Sequence, residues 1–162
     1  MRSQDSPSID SNLQGELLTR ARAAADQAYV PYSGFPVGAA VLAEDGSIHT
    51  GCNVENASYG LTICAERVAA TAAVSSGHRQ IIAVAVSAPK VPRTTPCGAC
   101  RQFLNEFRPG TTDTVIILDY RESGEPVVLE ELLPRAFGPR NLEVAPPPAD
   151  GTPLPLRETD GG

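Results

Sequence analysis

Two short stretches, Cys64-Ala65-Glu66 and Pro96-Cys97-Gly98-Ala99-Cys100, supply three thiols and one carboxylate. That is the donor set of a catalytic zinc site: a structural zinc is closed by four protein ligands, whereas a catalytic one keeps three and leaves a position for water. With Cys64, Cys97 and Cys100 as ligands to one Zn²⁺ per chain, Glu66 is the group that can handle that water's protons. Zinc lowers the pKa of a bound water from about 15.7 to ~7, so hydroxide becomes available at neutral pH. A carboxylate walled off from solvent has a raised pKa, and it can accept this proton and return it to a ring nitrogen and then to a departing amine. The implied chemistry is hydrolytic deamination at an amidine-like carbon of an aromatic ring.

These residues need elements to position them. Cys97 and Cys100 are three apart and share a face if they lie on a helix, but that spacing alone suits a redox pair, half of a zinc knuckle or two buried cysteines as well. Cys64 adds the second half, because it opens another predicted helix and lets two helix N-termini converge on one ion. Three thiolates on Zn²⁺ carry a net charge of about -1, which weakens its action on water, and helix N-termini offset such charge through free amides and the positive dipole end. Arg67 can add a full positive charge beside the site or form a surface ion pair; Arg101 is a weaker candidate for the same task. Cys64 and Glu66, two apart, point to different sides of a helix interior, so both reach the metal only if Cys64 sits at the cap. Without the cysteines, Glu66 would read as a first-turn acid favouring the helix dipole.

Along the chain, Leu13, Leu17, Leu18, Ala21, Ala24, Ala25 and Ala28 recur at helical spacing until Pro31 stops the pattern. Two strands, 37–43 and 47–53, flank Glu44-Asp45-Gly46, whose Asp-Gly is a hairpin signal. An alanine-rich helix over 64–76 ends at Gly77, a strand follows over 81–87, and a third helix spans 97–107. Strands over 115–118 and 126–129 and a helical turn over 129–133 complete the order. Helix, hairpin, then alternating helix and strand predicts an α/β fold, a three-layer α/β/α sandwich around one mixed five-stranded sheet.

A length of 162 residues fits one domain. We read 1–12 as a flexible N-terminal segment, 13–144 as the catalytic domain and the proline-rich 145–162 as an extended, solvated tail without catalytic work. The first dozen residues lack the apolar run of a secretory signal, and nothing approaches the ~20 apolar residues of a membrane span, which points to a cytoplasmic protein without a membrane partner. Reduced thiols suit that compartment and favour metal over disulfides. A formal charge of -6 and a pI near 4.9 disfavour a nucleic-acid polymer as partner and favour a small uncharged substrate.

Five blocks in order make the sequence resemble the small cytidine deaminases with three-cysteine zinc sites: Pro31-Tyr-Ser-Gly-Phe-Pro-Val-Gly38, Thr50-Gly-Cys-Asn-Val-Glu-Asn-Ala-Ser-Tyr-Gly60, Thr62-Ile-Cys-Ala-Glu-Arg67, Pro96-Cys-Gly-Ala-Cys-Arg-Gln102 and Leu132-Leu-Pro-Arg-Ala-Phe-Gly-Pro139. Zinc deaminases of this wider kind activate water and use a glutamate as acid and base. The resemblance implies conversion of cytidine and 2′-deoxycytidine to uridine and 2′-deoxyuridine in pyrimidine salvage. It also implies that Phe35 packs on the pyrimidine and that Asn53 and Glu55 bond the ribose hydroxyls. It further implies a homotetramer in which Phe137 reaches a neighbour's site, with Tyr32 and Tyr59 at the contacts. Taken alone, Phe35 and Phe137 would read as core, and Asn53 and Glu55 as a solvated turn.

Other readings leave Cys52, His49 and His78 aside. Cys52 lies in a predicted strand without a close partner, His49 alternates along the hairpin, and His78 follows the Gly77 stop. A deaminase of another free cytosine-bearing compound, such as an aminonucleoside antibiotic, keeps the zinc site but makes less use of Asn53 and Glu55. A non-catalytic zinc-stabilised assembly protein keeps the cysteines but has no use for Glu66 at an open metal position.

Overall fold

Six consecutive buried residues, Gly38–Ala43, form the strand around which the chain is organised. The computed structural model describes residues 9–122 and 124–142; most of the expected N-terminal segment and the whole 145–162 tail lie outside the described residues. The elements are α1 (Ser11–Ala25), β1 (Gly38–Ala43), β2 (Ile48–Cys52), α2 (Ala65–Ser75), β3 (Ile81–Ser87), α3 (Gly98–Asn105), β4 (Val115–Leu118), β5 (Glu125–Val128) and α4 (Leu129–Leu132). The sheet order is β2-β1-β3-β4-β5. Only the β3–β4 pair is parallel, so the sheet is mixed as expected.

Alternation along the strands creates the layers, since successive side chains point to opposite faces. Ala39 and Val41 face one core with Val84, Val86, Ile116 and Leu118, against Ala65, Ala69, Ala70 and Ala73 of α2 and Leu104 of α3. Ala40 and Leu42 face the other, with Ala83, Ala85, Val115 and Ile117, against Leu17, Leu18 and Ala21 of α1. Two cores on two faces make a three-layer α/β/α sandwich. Arg22 of α1 further ties its layer to the end of β4, donating to Asp119 Oδ1 at 2.6 Å and to the Arg121 carbonyl at 2.7 Å.

Helix α2 lies unusually close to the sheet. Gly51 allows this, because a Cβ there would sit 2.5 Å from the Ala69 amide nitrogen and 2.8 Å from the Ala65 carbonyl oxygen. Small residues on both surfaces thus fix the height of the helix above β2, and with it the place of its N-terminus.

The boundaries differ from the sequence expectation at both ends of α1. It starts at Ser11, two residues before the apolar pattern, and stops at Ala25 rather than Ala28. Gln27 and Ala28 turn back onto the Ala24 and Ala25 carbonyls, and Tyr29 then pairs with Val54, which takes the chain out of helical geometry ahead of Pro31. Two short 3₁₀ turns, Tyr59–Leu61 and Pro139–Leu142, add to the expected elements and carry no apolar periodicity.

Candidate active site

Cys64 is the N-cap of α2 and Cys97 the N-cap of α3, both with extended backbone, and Cys100 lies in the first turn of α3. The chain therefore enters α2 from Ile63 with the Cys64 side chain free of the helix interior, the arrangement that its two-residue spacing from Glu66 requires. The Cys64 and Cys97 sulfurs are 3.9 Å apart and those of Cys97 and Cys100 3.6 Å, with all three within 4.8 Å of one another. A zinc–sulfur bond of about 2.3 Å in tetrahedral geometry needs sulfur separations of about 3.8 Å. The spacing fits the ion, and Cys64, Cys97 and Cys100 would supply three of its four ligands. Neither cysteine cap makes a side-chain hydrogen bond to its helix, so the sulfurs are not spent on capping, and both stand at the positive end of a helix dipole.

Charge is distributed unevenly over the cluster. Hydrogen bonding to Cys100 holds the Cys64 thiol down at about 5 against its burial, with help from Arg67 and Cys97. The Cys100 thiol is pushed up by the bond it makes to Cys64 and by burial. Arg67 Nη2 reaches the Cys64 sulfur at 3.8 Å and the Thr62 carbonyl at 3.3 Å, while its buried Nε has no hydrogen-bond partner among the described residues. Arg101 turns elsewhere: its guanidinium donates to the carbonyls of Pro96 and Leu132 and to the Thr95 hydroxyl, so it braces α3 instead of offsetting thiolate charge.

Glu66 is 4% exposed. Burial raises its pKa, and the neighbouring Cys64 thiolate adds to the rise, against the pull of its own amide, the Cys100 thiol and Arg67. A carboxyl group in this state gains a proton more readily than an exposed glutamate and can give it back.

The other expected contacts lie in the loops before β1 and after β2. Asn53 Oδ1 accepts from the Val37 amide at 2.8 Å and its Nδ2 donates to the Phe35 carbonyl at 2.9 Å. Glu55 Oε2 accepts from the Tyr32 and Ser33 amides at 2.9 and 3.2 Å; the Ser33 hydroxyl and these amides hold its carboxyl below the usual glutamate range. Both side chains brace the 31–37 loop, and only their remaining donor and acceptor capacity is open to a ligand. Phe35 is half-buried within that loop.

An open cleft of about 420 Å³ is lined by Tyr32, Ser33, Glu55, Tyr59 and Thr62. Glu55 joins this cleft to the expected set, and Thr62 joins it to the metal side, through the carbonyl bonded to Arg67. Ser33 and Thr62 fall within the resembling blocks but have no role assigned from sequence, since a hydroxyl residue in a loop is common. Phe137 lies on a different segment, 61% exposed. Cys52 stands apart from the sulfur cluster and donates to the Gln27 carbonyl at 3.3 Å. His49 and His78 are 5.1 Å apart between ring centroids and share the Ser47 hydroxyl at the far end of α2.

Fold and donor set together define a zinc-binding α/β protein. The profile of the cytidine and deoxycytidylate deaminase zinc-binding region matches residues 11–118. A cytidine deaminase of Sporosarcina psychrophila is 47% identical over 130 residues, covering 80% of this chain and 95% of the relative. One from Mycobacterium tuberculosis is 46% identical over 132 residues, covering 82% and 92%. Among solved structures, the M. tuberculosis cytidine deaminase superposes with a TM-score of 0.68 at 44% identity, covering 81% of this chain and 99% of that one. The Burkholderia pseudomallei cytidine deaminase gives 0.69 at 42% identity, covering 75% and 97%. The chain belongs to the cytidine and deoxycytidylate deaminase family.

Proposed function

We propose that this protein deaminates cytidine and 2′-deoxycytidine hydrolytically to uridine and 2′-deoxyuridine, releasing ammonia. The observation that carries the reading is a buried glutamate, Glu66, in the first turn of the helix capped by Cys64, whose sulfur converges with those of Cys97 and Cys100. Held by Cys64, Cys97 and Cys100, zinc supplies the Lewis acidity that makes water a nucleophile at neutral pH. Glu66 takes one proton of the attacking water and delivers it to the ring nitrogen beside the reacting carbon, then carries the proton of the newly added hydroxyl to the amine, which departs as ammonia as the carbonyl forms. Its burial supports that role, because burial raises its pKa and makes the carboxylate a better proton acceptor than an exposed glutamate. Arg67 offsets the thiolate charge from its position beside Cys64.

Phe35 packs on the pyrimidine, and Asn53 and Glu55 bond the ribose hydroxyls with the capacity they do not spend on the loop. Phe137 completes the site of a neighbouring copy in a homotetramer. An apolar surface supports assembly: Tyr29, Tyr32, Val54, Tyr59, Leu61 and Ile63 are all exposed. Two groups of them are linked, Tyr29, Val54 and Ile63 by the Tyr29–Val54 and Val54–Ile63 bridges and Tyr32 with Tyr59 by an edge-to-face contact. Exposed patches of this kind mark interaction sites. The catalytic unit is 13–144, and pyrimidine salvage in the cytoplasm is the setting that suits a protein with free thiols and, among its described residues, no helix long and apolar enough to cross a membrane.

The test follows the absorbance of cytidine and deoxycytidine with zinc-loaded protein beside Glu66→Gln. Turnover is expected in the wild type, with a loss on the order of 10²- to 10⁴-fold in the variant at unchanged zinc content. Zinc-loaded wild type that leaves both nucleosides intact overturns the activity. Full turnover by Glu66→Gln overturns only the proton role.

A further inference from the structure

Three side chains of α3 hold the segment that carries Phe137. Arg101 Nη1 donates to the Leu132 carbonyl at 2.8 Å. Gln102 Nε2 and Asn105 Nδ2 then converge on a single acceptor, the Phe137 carbonyl, at 2.9 and 3.2 Å. Asn105 is a buried polar residue, so its amide needs partners on both ends, and Arg108 Nη1 meets its Oδ1 at 3.3 Å. Arg108 is fixed in turn by Asp113 at 2.9 Å and Glu130 at 3.3 Å. On the next residue, a Cβ at Gly138 would lie 2.6 Å from Asn105 Nδ2, so the backbone rests directly on that amide. The Gly138 amide bonds to Asn141 Oδ1 at 2.9 Å.

The ring above this anchor is nevertheless 61% exposed. An exposed apolar ring on a loose loop would be unremarkable, because scattered surface hydrophobes are normal. Here the backbone beneath the ring is pinned by two amides, one of them buried and itself braced by an ion-pair network. Such a device fixes the backbone from which the ring projects.

We propose that Gln102 and Asn105 are positioning residues for the deamination, acting through the Phe137 carbonyl to aim the phenyl ring at the substrate site of a neighbouring copy. The inference rests on the reading of Phe137 given above. Because Cys97 and Cys100 lie at the start of the same helix, α3 sets two metal ligands of its own site and the aromatic wall of the next. The ring contacts bound substrate before and during reaction alike, so its misplacement weakens binding in both states and is read in KM more than in kcat.

Steady-state kinetics on a mutant cycle test this. Asn105→Asp keeps the volume and can still pair with Arg108, yet an ionised carboxylate cannot donate to a carbonyl. Gln102→Glu removes the other donor at an exposed position, where folding is insensitive. Each is expected to raise KM for cytidine about fivefold with kcat within about twofold, the scale of one lost hydrogen bond. Phe137→Ala should raise KM at least as much, and in that background neither Asn105→Asp nor Gln102→Glu should raise it further.

If Phe137→Ala raises KM but the amide variants add the same factor in both backgrounds, or none in either, the positioning role is overturned while the Phe137 reading stands. If Phe137→Ala leaves KM unchanged, that reading falls and takes the proposal with it. A purely structural role for Asn105 would lower the melting temperature equally in both backgrounds without the coupling in KM.

Discussion

Helix α2 ends in two different ways. At its C-terminal end the chain satisfies itself: the Gly77 amide bonds to the Val74 carbonyl at 3.0 Å and the His78 amide to the Ala73 carbonyl at 3.1 Å, a Schellman closure. Arg79 Nη1 adds a bond to the Val74 carbonyl at 2.9 Å, and the Glu44 carboxylate from the hairpin accepts the Arg79 and Gln80 amides at 2.9 and 3.2 Å. At its N-terminal end, Cys64 caps the helix without a side-chain bond, a carboxylic acid is buried at the second position, and the adjacent Arg67 Nε is buried without a partner among the described residues. One end is closed by its own chain; the other keeps donors, sulfurs and a proton carrier available. Bonding capacity that the fold leaves unspent is what a ligand can use, so the chemistry gathers at the end that local structure alone would leave weaker.

The contrast makes opposite demands on mutations at the two ends. Cys64→Ser should act on activity most strongly: a hydroxyl is a poor substitute for thiolate, so zinc content should fall from one per chain toward zero and kcat/KM by on the order of 10³-fold or more. Metal analysis beside turnover checks it, and a variant that kept both would break the contrast outright. Arg67→Gln should come next. Outer partners of metal ligands are worth about 10- to 100-fold in affinity or activity, and the guanidinium beside Cys64 is such a partner. Chelator competition reads the affinity directly; unchanged zinc retention and turnover would return Arg67 to a structural role.

The legible part of this molecule is the part that repeats or that spaces reactive residues closely. The alanine ladder of α2, the Asp-Gly of the hairpin and the apolar run Ile81–Ser87 each carry their own period or turn chemistry, and they placed the sandwich and the sheet. Cys97 and Cys100 advertised a shared face, and Cys64 beside Glu66 demanded a cap, which is where the chain puts it. What sequence could not show depends on contacts between distant segments. Asn53 reads as a free amide until the 31–37 loop folds over it and takes both its polar atoms. Arg101 sits next to a thiol in sequence, yet its bonds run to Pro96, Thr95 and Leu132. Asn105 and Gln102 meet Phe137 across more than 30 residues, with no local pattern to announce it.

At the self-satisfied end, Gly77→Ala should reverse the pattern. The residue holds φ at +102°, a conformation that costs an alanine about 1 kcal/mol, so Tm should drop by ~3 °C while kcat and zinc content stay unchanged. Thermal unfolding and turnover on one preparation check it, and a fall in kcat without a fall in Tm would show that the two ends are not separable.

The smallest effect belongs to Asp45, in the hairpin turn that faces His78. The Ser47 hydroxyl and amide hold its carboxyl below the ordinary aspartate value of 3.8, and His78 stands 3.8 Å away. A folded-state pKa lower than the unfolded one means that the unfolded chain binds the proton more readily. The carboxylate therefore contributes stability above the unfolded value, and that contribution is lost as pH falls through the folded value. Asp45→Asn keeps an acceptor for the Ser47 amide and removes only the charge. Wild type should be slightly more stable than the variant at pH 6, and the difference should disappear below the folded pKa; because the group is exposed, the gap should be small and shrink further in salt. Turnover should be the same for both proteins throughout. A variant more stable than wild type at pH 6 would mean that the charge opposes the turn, and the closed end of the helix would then carry a repulsion of its own.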